Sequence, residues 1–252
     1  AISNEQLVNN IAASGSYIQL YAQWAPNTGT MQGWNCNMQI GDTATLTDIR
    51  DNNAYTVARL VDGLCWMTQN LKLNFNDPNT LINASNTNNP KSTFLTDIST
   101  KPASTPPTWC QSSGDTSCVN RITYTTSYRN TVYYNYYTAR AGNNTSTTGD
   151  ICPAGWRLPS EADANGLFNI IAKSGNYSYL NTYFSQNSYF DTNQVSRYSG
   201  GYFWLNKAQS TNNGHYMATS MQIQNGSAGV YTIYTTDGLT IRCVRDTSLD
   251  PR

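Results

Sequence analysis

The sequence predicts a mixed α+β domain held together by disulfides, on three observations. Short alternating apolar and polar runs, separated by Asn, Asp and Gly turns, recur along most of the chain. One segment, Ser160 to Ser174, carries helical periodicity with its own start and stop signals. Six cysteines occur in a chain with only 12% charged residues, a composition that points to an oxidising compartment.

The 252 residues suffice for one large domain or two small ones. Net charge is zero, so Asn, Ser, Thr and Gln must carry solubility, and no basic cluster attracts nucleic acid. No apolar run approaches the length of a membrane span. No signal peptide is present, and Ala1-Ile2-Ser3 reads as a processing boundary rather than a native start.

Residues 1–25 read as a separate unit, an N-terminal extension or the tail of a preceding repeat. Glu5 to Ala13 fits a short helix, and Ser16 to Trp24 alternates as a strand does. Its end, Leu20-Tyr-Ala-Gln-Trp24, resembles the last strand of small β-grasp-like repeats of bacterial surface proteins. Pro26 to Thr30 reads as a linker, the main domain begins near Met31, and the two together span 26–252. Thr45 to Asn53 is a strand running into a polar turn, Ala54 to Val61 is the returning strand, and Asp62-Gly63 is a tight turn. Residues 74–120 are polar and broken by prolines, as in an irregular insertion. The tyrosine-dense run Thr131 to Ala141 fits a helix or a strand, and a helix is preferred. In Ser160 to Ser174, Ser160 and Asp163 form a capping-box pattern, Leu167, Ile170 and Ile171 an apolar stripe, and Gly175 a stop. Short antiparallel strands follow around Gly201–Asn206, His215–Ile223, Val230–Tyr234 and Leu239–Val244.

Six cysteines allow fifteen pairings. The spacing favours three: Cys110 with Cys118 across a short loop, Cys36 with Cys65 around one strand-rich block, and Cys152 with Cys243 bracketing the last third. No Cys-x-x-Cys occurs and His215 is the single histidine, so a zinc site is not expected. His215 lacks partners at a useful spacing and reads as structural. Asp48, Asp51, Asn52 and Asn53 are the densest oxygen-ligand cluster, and a solvated turn is the preferred reading over a cation site. Neither metal nor cofactor is expected. No Gly-x-Ser-x-Gly elbow occurs, and the chain is not expected to be an enzyme.

Five blocks occur in order: Asp48-Ile-Arg-Asp51 through Tyr55-Thr-Val57 to Asp62-Gly-Leu-Cys-Trp-Met-Thr-Gln-Asn-Leu71; Tyr134-Asn135 with Tyr137; Cys152-Pro-Ala-Gly-Trp-Arg-Leu-Pro-Ser160; Gly201-Tyr-Phe-Trp204; and Ile241-Arg-Cys-Val-Arg-Asp246. Over roughly residues 40–246 the chain resembles the FISUMP domain family of bacterial surface proteins. That resemblance implies a C-type-lectin-like fold, related to the formylglycine-generating enzymes, with two helices on a small antiparallel sheet. It places Trp66, Trp156 and Trp204 in the core, and Trp109 is a minor sugar-stacking candidate. Two departures stand out. Asp163-Ala164 replaces a Glu-Trp in the helix, loosening the expected packing, and Leu205-Asn206 replaces a Ser-Ser after Trp204.

The same C-terminal frame is similar to that of the variable proteins of diversity-generating retroelements, in which adenine-directed mutagenesis enriches Asn, Tyr, Ser, Thr, Asp and His between the Trp block and the Arg-Cys-Val strand. Residues 202–238 are rich in these types, although Asn is abundant throughout the chain. Tyrosine offers contact area with few rotors, and Asn, Ser and Gly offer adaptable hydrogen bonds. The expected binding set is Tyr202, Leu205, Asn206, Lys207, Gln209, Asn212, Asn213, Tyr216, Ser220, Tyr231 and Tyr234. Alternation along His215–Ile223 puts Tyr216, Ala218, Ser220 and Gln222 on one face and Met217, Thr219 and Met221 on the other. The resemblance makes the first set the exposed one, and a one-residue slip reverses it.

The implied protein is a monomeric, extracellular display module at the cell surface, anchored by other parts of its parent chain. Its expected target is a protein or glycan on another cell or a phage, with no nucleic acid and no membrane insertion. A carbohydrate-binding lectin is the alternative, although the Glu-Pro-Asn or Gln-Pro-Asp signature of calcium-dependent lectins is absent. An enzyme of the formylglycine-generating type comes third. Such enzymes need two reactive cysteines in one site, whereas the C-terminal frame holds only Cys243.

Overall fold

The computed structural model describes residues 28–74, 77–92, 123–126, 131–143, 148–184, 189–190, 196–197, 200–208 and 216–245. The first 25 residues, Trp109, and the Cys110 and Cys118 pair lie outside them. Within the described residues the protein is mixed α+β, with two principal sheets and few helices.

The first sheet collects the short strands of the chain's first third and its tail. Its order is β1 (Thr28–Thr30), β2 (Thr43–Thr47), β3 (Ala54–Arg59), β4 (Cys65–Met67), β13 (Val244–Arg245) and β7 (Trp156–Arg157). Only β1 and β2 run parallel. In β2 and β3 the inward positions Ala44, Leu46, Tyr55 and Val57 are buried, as a half-buried strand pair requires. The turn entering β4 is fixed by Asp62, whose carboxylate accepts from the Leu64 amide at 3.1 Å and the Trp66 indole at 2.9 Å. Gly63 there adopts φ +84°, a conformation that side chains resist.

Three blocks far apart in sequence meet at β13. Val244 pairs with Trp66 on one side and Arg157 on the other, and Arg245 pairs with Trp156. Two disulfides fasten this region, Cys36–Cys65 and Cys152–Cys243, with sequence separations of 29 and 91. On the loop-entropy account they stabilise by roughly 3–4 and 4–5 kcal/mol. Every cysteine among the described residues is bonded.

The second sheet is a meander of β10 (Gly201–Ala208), β11 (Met217–Gln224) and β12 (Ser227–Tyr234). Asn225 and Gly226, with Gly226 at φ +80°, turn β11 into β12 in two residues. Residues 239–240 tie this sheet to the rest. Phe203 bridges to Thr240, and Leu239 bridges to Tyr134.

The run around 131–141 is not one helix. Thr131–Tyr134 form a fully buried strand, β6, paired with β5 (Thr123–Thr126). Only Tyr136–Ala139 make a helical turn, α1, capped by Asn135. A β-branched and aromatic run favours the pleated backbone, and Leu239 supplies Tyr134 with a strand partner at 2.9 and 3.0 Å. Helix α2 (Glu161–Ser174) starts and stops as its signals require. Ser160 and Asp163 form the reciprocal capping box, and Gly175 ends the helix at φ +67°. Its buried stripe is Ala164, Leu167, Phe168 and Ile171, whereas Ile170 is 41% exposed. A further helix, α3 (Ser178–Tyr183), follows. Two small strands, β8 (Tyr189–Phe190) and β9 (Ser196–Arg197), pair with each other.

Two apolar clusters fill the interior. One gathers Trp34, Trp156, Tyr134 and Trp204, and the other gathers Trp66, Leu167, Phe184 and Phe203. Trp66, Trp156 and Trp204 are each fully buried.

Candidate functional site

The three-stranded sheet lies between these clusters. Tyr202, Trp204, Ala218 and Ile233 point into the first, and Phe203, Leu205, Met221 and Ile223 into the second, where α2 also packs. The register follows from the hairpin. Ser220 stands opposite Trp204 on one side and Tyr231 on the other, and Ala218 stands opposite Ile233. The expected alternation of β11 therefore holds, but the expected exposure does not. Ala218 and Ser220 are fully buried, because the face shared with Trp204 is covered by the first cluster. Both faces close over β10 and β11, and solvent reaches the sheet mainly along its outer strand, β12.

The predicted binding residues separate accordingly. Tyr202 and Leu205 are buried, Tyr202 against the Tyr189 ring at 4.8 Å and Leu205 in the second cluster. Ser220 is buried, and its hydroxyl donates to the Tyr231 carbonyl at 3.4 Å. These three are core, not contact surface. Asn206 is half-buried, and its amide donates to the Pro159 carbonyl at 2.9 Å. Lys207 is exposed and meets Glu161 at 2.8 Å, at the start of α2. Gln209, Asn212, Asn213 and His215 lie outside the described residues.

The structure brings three tyrosines to the surface. Tyr216 is 46% exposed, Tyr231 53% and Tyr234 40%. Tyr216 adjoins β11 and pairs with Thr235 just past β12, so it projects on the same side as Tyr231, while Tyr234 projects on the other. Gln224, Asn225, Ser227 and Thr232 are exposed beside them. Sequence reasoning missed Thr232 and the early start of β12 at Ser227. The Asn225-Gly226 dipeptide between two alternating runs was the available signal.

This surface offers hydroxyls, amides and aromatic rings, without a charged side chain on β12. Among the described residues, no group of three His, Cys, Asp or Glu side chains is placed to hold a metal. The Asp48 to Asn53 turn is solvated only in part, with Asn52 exposed and Asp51 and Asn53 half-buried. Asp48 is fully buried, pairs with Arg50 at 2.7 Å and accepts from Gln32 at 2.8 Å. Asp51 instead accepts from the Asn53 amide and side chain, with Asn52 at φ +58°. Another buried carboxylate, Asp150, accepts from the Cys152 and Leu158 amides and from Asn88. Burial pushes it up to about 6, against the opposing pull of those hydrogen bonds and of Arg140.

No family model matches the chain, and neither does any curated protein or solved structure. No helix of the described residues is long and apolar enough to cross a membrane.

Proposed function

We propose that this chain is an extracellular binding module with a C-type-lectin-like body, and that it recognises a protein through the β12 side of its three-stranded sheet. The observation that carries the reading is the placement of Tyr216, Tyr231 and Tyr234. Three large exposed rings stand on one hairpin, whose inner strands are locked in the core. Such rings give contact area at low entropic cost and serve as anchors. The two disulfides support an oxidising location outside the cytoplasm. They also keep the body rigid, so ligand contacts need not order it.

On this reading, the FISUMP-like blocks form the scaffold and the exposed hairpin side chains form the recognition surface. Retroelement diversification is a further part of the proposal. It would act at exposed positions such as Tyr216, Asn225, Tyr231 and Tyr234, leaving Phe203 and Trp204 fixed.

The test is a binding screen on arrayed bacterial and phage surface proteins and on arrayed glycans. The ligands found are then offered to a Tyr216→Ala, Tyr231→Ala, Tyr234→Ala triple variant. Protein ligands lost by the variant support the reading. Ligands bound equally by both proteins contradict it, and binding confined to glycans turns it to the lectin.

A further inference from the structure

The outer edge of β12 carries a backbone pattern complementary to itself. Hairpin geometry determines which groups face β11. Gln224 pairs with Ser227 across the two-residue turn, and the Thr235 amide donates to the Tyr216 carbonyl at 3.0 Å. Hydrogen-bonded pairs alternate between these limits, so Ser227, Gly229, Tyr231 and Ile233 bond to β11. The N–H and C=O groups of Ala228, Val230 and Thr232 therefore point away from it. The outward carbonyl of the next such residue, Tyr234, accepts from the Asp237 amide at 3.0 Å.

Among the described residues, no strand pairs with β12 on that side. Proteins usually protect an open edge with a charge, a proline or a bulge. Ser227–Tyr234 contains no charged residue and no proline, and its register with β11 is unbroken.

We propose that β12 pairs antiparallel with β12 of a second copy about a two-fold axis at Val230, joining two three-stranded sheets into one. This register sets Ala228 opposite Thr232 of the copy, Val230 opposite Val230, and Thr232 opposite Ala228. Each pair exchanges two N–H···O bonds. A shift by two residues in either direction leaves part of the triplet without a partner.

Side chains fit the same register. Tyr231 falls opposite Gly229 of the copy, a large ring against a residue with no side chain, and the two-fold repeats the match. Within its own chain the Tyr231 ring already lies over Gly229, 2.9 Å from where a Cβ would stand. Aromatic cover over a strand glycine is a known means of fixing register. Zero net charge leaves no overall repulsion between copies. The pairing does not rest on the ligand reading, and it differs from the expectation of a monomer.

The test is sedimentation velocity on the whole chain, without ligand, from micromolar to millimolar concentration. The expected result is a reversible monomer–dimer equilibrium. Thr232→Lys, at an exposed side chain, should weaken it by at least about tenfold, whereas Thr232→Ser should leave it unchanged. Circular dichroism checks that both variants fold. Amide exchange by NMR supplies the register: Ala228, Val230 and Thr232 gain protection on concentration, while Gly229 and Tyr231 are protected throughout. A monomer at every concentration overturns the proposal, as does a dimer in which those three amides stay unprotected. Loss of dimerisation with ligand binding retained would leave the proposed function standing.

Discussion

The indole nitrogen of Trp204 donates to the carbonyl oxygen of Tyr134 across 2.6 Å, linking two positions 70 residues apart. The bond ties the middle of β10 to the end of β6, and the Tyr136 ring stands against the indole edge at 5.2 Å. It fastens the three-stranded sheet to the rest of the body, beside the backbone bonds that Tyr202 and Trp204 make with Thr240. Trp204→Ala should cost about 3–5 kcal/mol. Trp204→Phe keeps most of the volume and leaves the Tyr134 carbonyl its bond from the Leu239 amide, so it should cost only about 0.5–1.5 kcal/mol for the lost hydrogen bond. Denaturant melts of both variants check the ordering.

At the other extreme, the exposed tyrosines should be nearly free of stabilising duty. Tyr216→Ala and Tyr231→Ala should each change stability by no more than about 0.5 kcal/mol. Ser220→Val, at a fully buried neighbour on the same face, should cost more, because it adds volume and removes the hydroxyl bond to Tyr231. Thermal melts in which the tyrosine variants fall as far as Ser220→Val would show that those rings belong to the core.

Much of this division was legible in the sequence, and the reasons differ by element. Helix α2 has its cap, its stripe and its stop within a single segment, so local rules suffice. Trp66, Trp156 and Trp204 were readable as core. The β6 strand was not, because Tyr133, Tyr134 and Tyr137 mimic a helical stripe and its partner Leu239 lies about a hundred residues on. The parity of β11 could be read from alternation, since the period is two. Which face is covered could not, because cover comes from Trp204 and the first cluster, both distant in sequence. Asp48 looked like a turn residue, and only the fold reveals its burial with Arg50.

That buried pair gives a third prediction. Asp48→Asn leaves the Arg50 guanidinium enclosed without its carboxylate, and should cost about 3–5 kcal/mol. Replacing Asp48 and Arg50 together by Leu and Met should cost less than Asp48→Asn alone. A double-mutant cycle in urea measures the difference.

Asp150 sets a pH dependence with a definite sign. Its folded value, about 6, lies above the ordinary 3.8. Between these values the folded state holds the proton more tightly than the unfolded chain, so stability falls as pH rises through that window and is level above it. Asp150→Asn should flatten this part of the profile. Urea melts at about pH 3.5 and about pH 7, on the two sides of the window, provide the check. An unchanged slope would show that other carboxylates set it.

If the hairpin is diversified, natural copies of the gene from one population should differ at Tyr216, Asn225, Tyr231 and Tyr234. They should agree at Phe203, Trp204, Met221 and Ile223, which are buried. Deep sequencing of the locus reads this directly, and differences spread evenly over buried and exposed positions would argue for ordinary drift.

The most direct test of the central claim is an amide-exchange footprint of the protein with a ligand recovered from the binding screen. New protection should concentrate at residues 216–217 and 227–235, beside the three exposed rings. Protection confined to the far sheet or to residues 77–92, with the hairpin unchanged, would contradict the account.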